Sequence, residues 1–157
     1  MPMTLSGTTG IALPAAAAPA FSAYLSADTA IPNATSTKIP INTEEFDTAS
    51  CYNTSTYRFT PNVAGYYQVS GQTLIGAGST GVCLLQIYKN GSVAKFGTEI
   101  PFTASANYVA SAASALIYLN GSTDYVELYA YQSSGTSQTM YAASYVNYFQ
   151  AAMVRSA

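Results

Sequence analysis

Apolar and polar side chains alternate along most of this chain, which is the pattern of half-buried β-strands. The alternation is densest in the stretch Tyr57–Ser70. Its first part runs to Pro61, where the missing proline N–H ends strand pairing. A second run begins after Gly65 and continues from Tyr66 to Ile75, with one predicted face formed by Tyr67, Val69, Gly71, Thr73 and Ile75. The stretch therefore predicts a strand, a turn and a long second strand.

Strands are predicted at residues 21–27, 37–42, 82–89, 92–96, 107–119, 124–131 and 144–154. Residues 82–89 are apolar on both faces, which predicts a central strand or an interface, and residues 92–96 form the returning strand after Asn90-Gly91. Pro40 places the strand at 37–42 at a sheet edge, because proline cannot donate to a strand ladder. The pairs Asn90-Gly91 and Asn120-Gly121 are hairpin signals, since both residue types tolerate the positive φ of a type I′ turn. Many strands with turns between them and no predicted helix indicate an all-β sandwich or barrel.

Residues 107–119 have a competing interpretation as an alanine-rich helix. Their tyrosine, valine and isoleucine residues favour a strand instead. Strand alternation then predicts two faces. One contains Tyr108, Ala110, Ala112, Ser114, Leu116 and Tyr118, and the other contains Val109, Ala113, Ala115, Ile117 and Leu119.

The segments between the predicted strands are interpreted as loops. Residues 28–37 and 47–55 are polar and contain turn-forming residues. Glu44–Asp47 holds three of the seven acidic residues, and a solvated turn is favoured there over a cation site. The glycines of Gly76–Gly81 resemble a phosphate-binding loop, but no Gly-Lys-Ser/Thr follows them.

Composition excludes several classes of function. Only 8% of the 157 residues are charged, the net charge is −2, and the five cationic residues are dispersed. Binding to nucleic acid or to anionic lipid needs clustered lysine and arginine, so neither partner is expected. A surface of tyrosine, serine, threonine and asparagine is better suited to β structure and rigid assembly than to a highly soluble monomer.

Catalytic and metal-binding residues are scarce. The chain has no histidine, which removes the usual general base and zinc ligand. The acids Asp124 and Glu127 lie three apart on a predicted strand and therefore point to opposite faces, an arrangement that suits neither a glycosidase pair nor a metal pair. We expect no enzymatic activity, no metal and no cofactor.

The two cysteines, Cys51 and Cys83, do not make a disulfide scaffold. Two unpaired thiols are the favoured interpretation. A single bridge remains open at this stage, because spacing along the chain does not show whether two Cα atoms are close.

The first nineteen residues differ from the rest and are interpreted as an N-terminal arm and linker, with the domain at 20–157. The arm contains a short β-prone piece and an alanine segment between prolines; its candidate docking residues are Leu5, Ile11 and Leu13. A flexible terminus is the alternative. The start lacks the charged and apolar regions of a signal peptide, and no apolar run approaches the ~20 residues of a membrane span.

Four segments, in order, resemble the C1q-type globular domain, a relative of the tumour necrosis factor jelly roll. Residues 20–23 resemble its opening strand, and Tyr57–Ser70 is similar to its most specific signature, an aromatic strand, a proline turn and Gly-Tyr-Tyr. Residues 87–91 resemble the mid-domain hairpin. Residues 120–128 and 148–154 resemble the two closing strands.

The resemblance implies a two-sheet jelly roll of about ten strands that assembles as a compact homotrimer and acts in recognition rather than catalysis. The expected trimer-interface residues are Tyr66, Tyr67, Tyr118, Tyr148 and Phe149. Tyr66 and Tyr67 point to opposite faces, so one of them is expected in the core. Two features depart from the family, namely the missing collagen-like stalk and the missing axial acid cluster, and the second puts calcium binding in doubt.

The opening residues are similar to those of bacteriophage tail-fibre and virion proteins. We therefore expect a non-enzymatic virion protein, assembled in the host cytoplasm, that contacts capsid or tail proteins through its arm. It decorates the particle or binds a glycan or protein on the host surface, where Tyr52 and Tyr141 are candidate recognition residues. The alternatives are a dedicated receptor- or glycan-binding fibre tip and a secreted C1q-like ligand.

Overall fold

Strands account for almost all regular structure in the protein. The structure, a computed structural model, describes residues 5–6, 10–11 and 18–157. Within these ranges it contains no helix, and hence none that is long and apolar enough to cross a membrane. The strands are β1 (Leu5–Ser6), β2 (Gly10–Ile11), β3 (Ala20–Tyr24), β4 (Thr29–Ile31), β5 (Thr37–Lys38), β6 (Thr43–Asp47), β7 (Tyr52–Asn53), β8 (Arg58–Phe59), β9 (Ala64–Gly76), β10 (Gly81–Lys89), β11 (Ser92–Phe96), β12 (Ile100–Phe102), β13 (Tyr108–Asn120), β14 (Val126–Gln132), β15 (Gln138–Met140) and β16 (Tyr148–Ser156).

Two seven-stranded sheets form the domain, and all the described pairings are antiparallel. The first sheet has the order β11-β10-β14-β8-β7, with β12 paired to β10 and β5 paired to β14. The second sheet has the order β4-β15-β9-β16-β3-β6, with β13 paired along the full length of β9. The number of strands in the two sheets exceeds the ten implied by the family resemblance because several are segments of only two or three residues.

The core lies between the sheets and is rich in aromatic rings. Phe21 stacks on Tyr52 and on Phe59, with centroids 4.4 Å and 4.7 Å apart, and meets Phe149 edge to face at 4.9 Å. Tyr67 meets Phe59 edge to face at 5.5 Å and is fully buried. Strands from both sheets contribute these rings, so aromatic packing joins the two layers.

The predicted central stretch is confirmed in its second half and shortened in its first. Strand β9 extends over Ala64–Gly76, and the predicted face of alternate residues from Tyr67 to Ile75 is buried. The first strand is reduced to Arg58–Phe59. Tyr57 has a φ of 58°, and its N–H donates to the carbonyl of Asn53 at 2.7 Å, so it closes a turn instead of extending the strand.

One of the two predicted hairpins is confirmed and the other is wrong. Asn90 and Gly91 have φ values of 53° and 79° and join the antiparallel strands β10 and β11. Asn120-Gly121 instead carries the chain from β13 in the second sheet to β14 in the first. The Asn120 carboxamide oxygen accepts hydrogen bonds from the three N–H groups of residues 122–124, which turns the chain without pairing the strands it connects.

Several predicted loops contain short strands. Residues 28–37 include β4, which pairs with β15, and the Glu44–Asp47 segment lies in β6, which pairs with β3. The acidic side chains of β6 are solvated, as expected for that segment, but its backbone is a strand and not a turn. The strand predicted at 37–42 covers only Thr37–Lys38. In each case pairing with a distant strand decides the backbone conformation, and local sequence carries little of that information.

Both cysteines lie in the described part of the chain and are unpaired and buried, which confirms the favoured interpretation. Burial raises the pKa of the Cys83 thiol to about 12. Burial also raises the pKa of Cys51. Both thiols are therefore neutral and poorly nucleophilic at physiological pH.

The sandwich has two distinct ends, which we call the base and the apex. At the base, β9 begins beside Ser156 and Asn120, and the last N–H of the chain donates to the carbonyl of Ala64 at 3.1 Å. At the apex, β9 ends at Gly76 opposite Tyr108. The segment just before β3 lies against β16 of the second sheet, where the Pro19 carbonyl accepts a hydrogen bond from the N–H of Met153 at 3.0 Å.

The candidate docking residues do not belong to either seven-stranded sheet where the structure describes them. Strands β1 and β2 pair antiparallel with Leu5 opposite Ile11, and Leu13 lies outside the described residues. The role of these three residues as a docking arm, and the domain division at residue 20, remain predictions.

Candidate functional site: an uncharged face of the second sheet

The second sheet has one face against the core and one face open to solvent. The open face consists of alternate residues of its three longest neighbouring strands. They are Tyr66, Gln68, Ser70, Gln72 and Leu74 in β9, Tyr108, Ala110, Ala112, Ser114, Leu116 and Tyr118 in β13, and Tyr148, Gln150 and Ala152 in β16. We call this surface the assembly face.

The assembly face exposes large apolar side chains. Leu116 is 54% exposed, and Tyr66 and Tyr118 are each 43% exposed. The rings of Tyr66 and Tyr118 pack together at a centroid distance of 5.6 Å. A continuous exposed patch of this kind marks an interaction surface in most soluble proteins.

No residue of the assembly face carries a charge. Charges border it. Near the base Arg155 pairs across the strands with Tyr66, and the Lys89 ammonium lies 5.8 Å from the centre of the Tyr118 ring. At the far edge the Glu45 carboxylate accepts a 2.7 Å hydrogen bond from the Ser22 hydroxyl. Depletion of charge together with exposed aromatic rings is the compositional signature of an interface core.

Polar residues on this face are held in place by one another. The Gln68 Nε2 donates to the Ser114 hydroxyl at 2.8 Å, and the Gln150 Nε2 donates to the Ser70 hydroxyl at 3.2 Å. These cross-strand bonds hold three strands in register and order flexible side chains before any partner arrives. Such ordering lowers the entropic cost of association.

Open grooves follow the assembly face. One, of about 550 Å³, lies at the base between Tyr66, Leu116 and Arg155. Another, of about 530 Å³, has Phe96 and Tyr148 at its rims and small residues such as Ala112 in its floor. A third, of about 180 Å³, lies beside Phe46. The face is therefore corrugated, with aromatic ridges and shallow depressions that another sheet edge can fill.

The first sheet is different, because its outward surface carries the ion pairs. Glu127 in β14 is almost fully buried there, and its Oε1 accepts from Lys38 Nζ and from Arg58 Nε, the latter at 2.6 Å. The Arg58 guanidinium also lies 4.1 Å from the centre of the Tyr125 ring. The bond to Glu127 raises the pKa of Arg58.

Asp124 and Glu127 belong to separate structural ion pairs and do not form an acid–base site. Asp124 accepts from Asn90 at 2.7 Å and pairs with Lys89 at 2.9 Å. The hydrogen bonds from Asn90 and then Lys89 hold the pKa of Asp124 below its usual range. Among the described residues, no group of three or more histidine, cysteine or acidic side chains is placed to hold a metal ion.

The predicted interface residues divide between the two faces of the second sheet. Tyr66, Tyr118 and Tyr148 lie on the assembly face. Tyr67 and Phe149 are wrong as interface candidates, because both are buried between the sheets. The Tyr67 hydroxyl donates to the Val63 carbonyl at 2.7 Å, and burial raises its pKa to about 12. The expectation that one of Tyr66 and Tyr67 lies in the core is confirmed, and the core residue is Tyr67. Tyr148 and Phe149 divide in the same way, because neighbouring residues of a strand point to opposite faces.

The recognition candidates also separate. Tyr52 is wrong as an exposed loop residue, because it belongs to β7, stacks on Phe21, and donates its hydroxyl to the Ile41 carbonyl at 2.7 Å. Burial raises its pKa. Tyr141 is half-buried at the apex and packs edge to face against Tyr108 at 5.3 Å.

Other residues of the surface were missed as site candidates. Tyr108 and Leu116 share the predicted face of Tyr118, so the alternation of residues 107–119 was sufficient to find them. Phe96 had no such signal. It ends β11 of the first sheet, and the chain then crosses to the edge of β13, where the Thr98 N–H donates to the Ala112 carbonyl at 3.0 Å. That crossing brings Phe96 to the assembly face.

Two facing antiparallel sheets, linked by crossings such as that at Asn120-Gly121, define an all-β jelly-roll sandwich. The comparison with known proteins agrees with this class. Neither a protein-family model nor a curated protein matches the sequence. Solved structures do match it. The globular domain of the zebrafish complement 1qA protein aligns with a TM-score of 0.61 and 16% identity over 88% of this chain and 99% of that one.

Members of the tumour necrosis factor group align equally well. Eiger TNF from S. frugiperda gives a TM-score of 0.65 at 10% identity over 89% of this chain and 93% of that one. Murine APRIL gives 0.62 at 8% identity over 87% and 99%. The chain therefore has the C1q and tumour necrosis factor fold, as its sequence motifs predicted. At these identities the likeness concerns the fold alone.

Proposed function

We propose that this protein is a non-enzymatic homotrimeric module whose copies pack through the assembly face. The observation that carries the proposal is the exposed, uncharged aromatic patch around Tyr66, Leu116 and Tyr118. With so few charges on the chain, burying this apolar patch against a second copy of the same protein removes the largest unfavourable contact with water.

A ring of three copies is the arrangement that the C1q-like sequence motifs imply. The assembly face suits such a ring because its rim and its middle have different shapes. The rim near Phe96 is a projecting strand edge, whereas the middle of the face is a grooved sheet. Contacts between different patches generate closed rings when the rotation closes, here after three copies.

The two ends of the sandwich support a display role. The N-terminal segment joins the domain at Pro19, beside Met153 near the base, while the loops around Tyr108 and Tyr141 lie at the opposite end. We propose that residues 1–19, through Leu5, Ile11 and Leu13, anchor the module to a larger assembly. The apical loops then point outward.

The larger assembly that we propose is a bacteriophage particle, to whose capsid or tail proteins the arm binds. The low charge, the abundance of tyrosine, serine and threonine, and the similarity of the opening residues to virion proteins favour this setting. In it the trimer decorates the particle or binds the host surface. An aromatic cleft at the apex favours a receptor- or glycan-binding fibre tip as the second candidate.

Light scattering on the purified full chain tests the trimer directly. The expected mass is about three times the chain mass of 16.4 kDa, and a monomer at micromolar concentration would overturn the proposal. The setting is tested separately by antibody labelling of particles in the electron microscope. Blocking of host adsorption by the purified protein would exclude a purely decorative role.

A further inference from the structure

An open cleft of about 270 Å³ lies at the apex, where β9 ends and β13 begins. Its walls are the rings of Tyr108, Tyr141 and Tyr145, and its floor is formed by Leu74, Val146 and two alanines. Tyr145 is 79% exposed and Tyr108 is 59% exposed, so two of the three rings face solvent. Three tyrosine rings around one small cleft, two of them exposed, are unusual for a loop with a purely structural role.

The rings have a defined arrangement. Tyr108 and Tyr141 meet edge to face with an interplanar angle of 81°. Gly76 makes room for this pair, since a methyl group at that position would lie 3.3 Å from the Tyr141 hydroxyl. The result is an open shelf of tyrosine rings, and not an enclosed cage.

A buried asparagine holds the loop that carries the cleft. The Asn147 carboxamide accepts from the Thr73 hydroxyl at 2.8 Å and from the Leu74 N–H at 3.1 Å. It donates to the carbonyls of Leu74 at 3.0 Å and Tyr141 at 2.7 Å. The Tyr141 backbone is thereby fixed to β9, so the shelf is organised before a ligand binds.

The polar groups around the shelf are neutral or acidic. No lysine or arginine lines the cleft. The Asp28 carboxylate lies one hydrogen bond beyond the lining, where it accepts from the N–H of the lining residue Ala142 at 2.7 Å. An anionic ligand would meet this carboxylate without a balancing cation, so the surroundings favour a neutral ligand that donates hydrogen bonds.

From these observations we propose that the cleft is a binding site for a neutral carbohydrate. One C–H face of a pyranose ring packs on a tyrosine ring, and its hydroxyl groups donate to Asp28 and exchange hydrogen bonds with the tyrosine hydroxyls. The cleft accommodates a ligand of one or two sugar rings. The site deepens the display role proposed above and lies within one chain. Leu74 and Tyr108 also form the apical end of the assembly face, so the proposal requires that contacts between copies leave this end uncovered.

A quaternary ammonium group is the competing ligand for an aromatic site. Such a cation gains most when rings enclose and desolvate it, and much less on an exposed ring. Because Tyr108 and Tyr141 pack against each other at an open cleft, they leave a cation in contact with water. The geometry therefore favours the sugar.

The test is an array of neutral and acidic oligosaccharides probed with the full chain, followed by calorimetry and saturation-transfer NMR with the best neutral probe and with choline. We expect Tyr145→Ala and Tyr108→Ala each to lower the affinity for the neutral sugar at least tenfold. The matched control Tyr131→Ala, in the first sheet, leaves it unchanged. Circular dichroism and light scattering on each variant report fold and assembly.

The other outcomes separate the site from the trimer. No binding to any neutral glycan, binding of choline alone, or unchanged affinity in both cleft variants contradicts the carbohydrate proposal. A loss of trimer mass in Tyr145→Ala without sugar binding by the wild type would make the cleft a contact between copies. A monomeric wild type that still binds sugar would reject the trimer and keep the site.

Discussion

Tyr66 and Tyr118 lie directly opposite each other on neighbouring strands of the second sheet, with ring centroids 5.6 Å apart on the solvent side. Tyr67, the next residue along the chain, is fully buried on the other side. Two successive residues of one strand therefore supply a core residue, Tyr67, and one member of an exposed aromatic pair, Tyr66. The pair lies at the basal part of the assembly face beside the exposed Leu116, which makes this part the place to test assembly.

Placing a charge beside this pair is expected to separate the subunits. Leu116→Asp puts a carboxylate on the assembly face, where a neighbouring copy would bury it with only the exposed Arg155 of the same groove as a counter-charge, at a cost of several kcal/mol. Because Leu116 is exposed in the single chain, the domain itself should still fold. Light scattering should report about one chain mass in place of about three.

The control for that experiment is Val93→Asp, an equally apolar exposed position in β11 of the first sheet. It should remain a trimer. If Leu116→Asp also remained a trimer at low micromolar concentration, the assembly face would be in the wrong place.

The buried ion-pair cluster should respond asymmetrically to substitution. Replacing both Lys38 and Arg58 with methionine leaves the Glu127 carboxylate buried without a counter-charge, and we expect a loss of about 3–5 kcal/mol in the free energy of unfolding. Glu127→Gln leaves two cations that are partly exposed and reach water, so a smaller loss of about 1–3 kcal/mol is expected. Urea unfolding measures both, and equal losses would contradict this account.

Asn147 should be essential for the apical loop. Asn147→Ala removes the partner of buried groups on Leu74, Thr73 and Tyr141, and we expect a loss of at least about 2 kcal/mol in the free energy of unfolding. Asn147→Asp keeps the acceptor but loses both donated bonds. Hydrogen exchange of residues 141–147 should rise in both variants. Unchanged exchange there would show that other contacts hold the loop.

Two glycines with similar backbone angles should differ in their tolerance of alanine. Gly121 and Gly135 have φ values of 72° and 85°, so alanine at either costs about 1–2 kcal/mol from the left-handed conformation. At Gly121 the added Cβ would also lie 2.2 Å from the Ala64 N, whereas nothing lies within 4 Å at Gly135. Thermal unfolding should therefore show a loss for Gly121→Ala that is larger by about 1–3 kcal/mol.

Alkaline pH should destabilise the fold. Burial raises the pKa of Cys83 from 9.0 and that of Tyr67 from 10.0, each to about 12. The folded state thus holds these protons more tightly than the unfolded state. Their contribution to stability is complete below pH 9 and is lost as pH rises towards 12. The free energy of unfolding should fall across that window, and Cys83→Ala should reduce the slope between pH 9 and 11.

The same burial makes a prediction at neutral pH. Neither Cys51 nor Cys83 should react with a thiol reagent in the folded protein, and both should react after denaturation. Rapid labelling of either thiol in native buffer would contradict the packing described for the core.

The long strands were predictable from sequence because their side chains alternate over nine to thirteen residues. A pattern of that length has one consistent phase, so the two faces of β9 and β13 were separated correctly, although alternation alone does not say which face is inward. The short strands had no such signal. β4 and β6 form because β15 and β3 offer them hydrogen-bonding partners across long sequence separations.

The candidate site was predictable only in part. Alternation places Tyr66 and Tyr118 on the faces of their strands that are exposed. The assignment of Tyr52 to an exposed loop was wrong, because Phe21 and Phe59 come from distant strands to bury it. Phe96 and the apical cleft depend on where the chain crosses between sheets. Crossings at turns leave no periodic trace in sequence.

Local sequence therefore accounts for the all-β class, the phase of each long strand and the Asn90-Gly91 hairpin, because alternation and turn chemistry act within a few residues. Packing between distant strands accounts for the rest. It decides that Tyr67 is core while Tyr66 is surface, that Asn120-Gly121 connects two sheets, and that Tyr108, Tyr141 and Tyr145 meet at one end. Each of these depends on which strands lie side by side, and many pairings satisfy the same alternation until the core is closed.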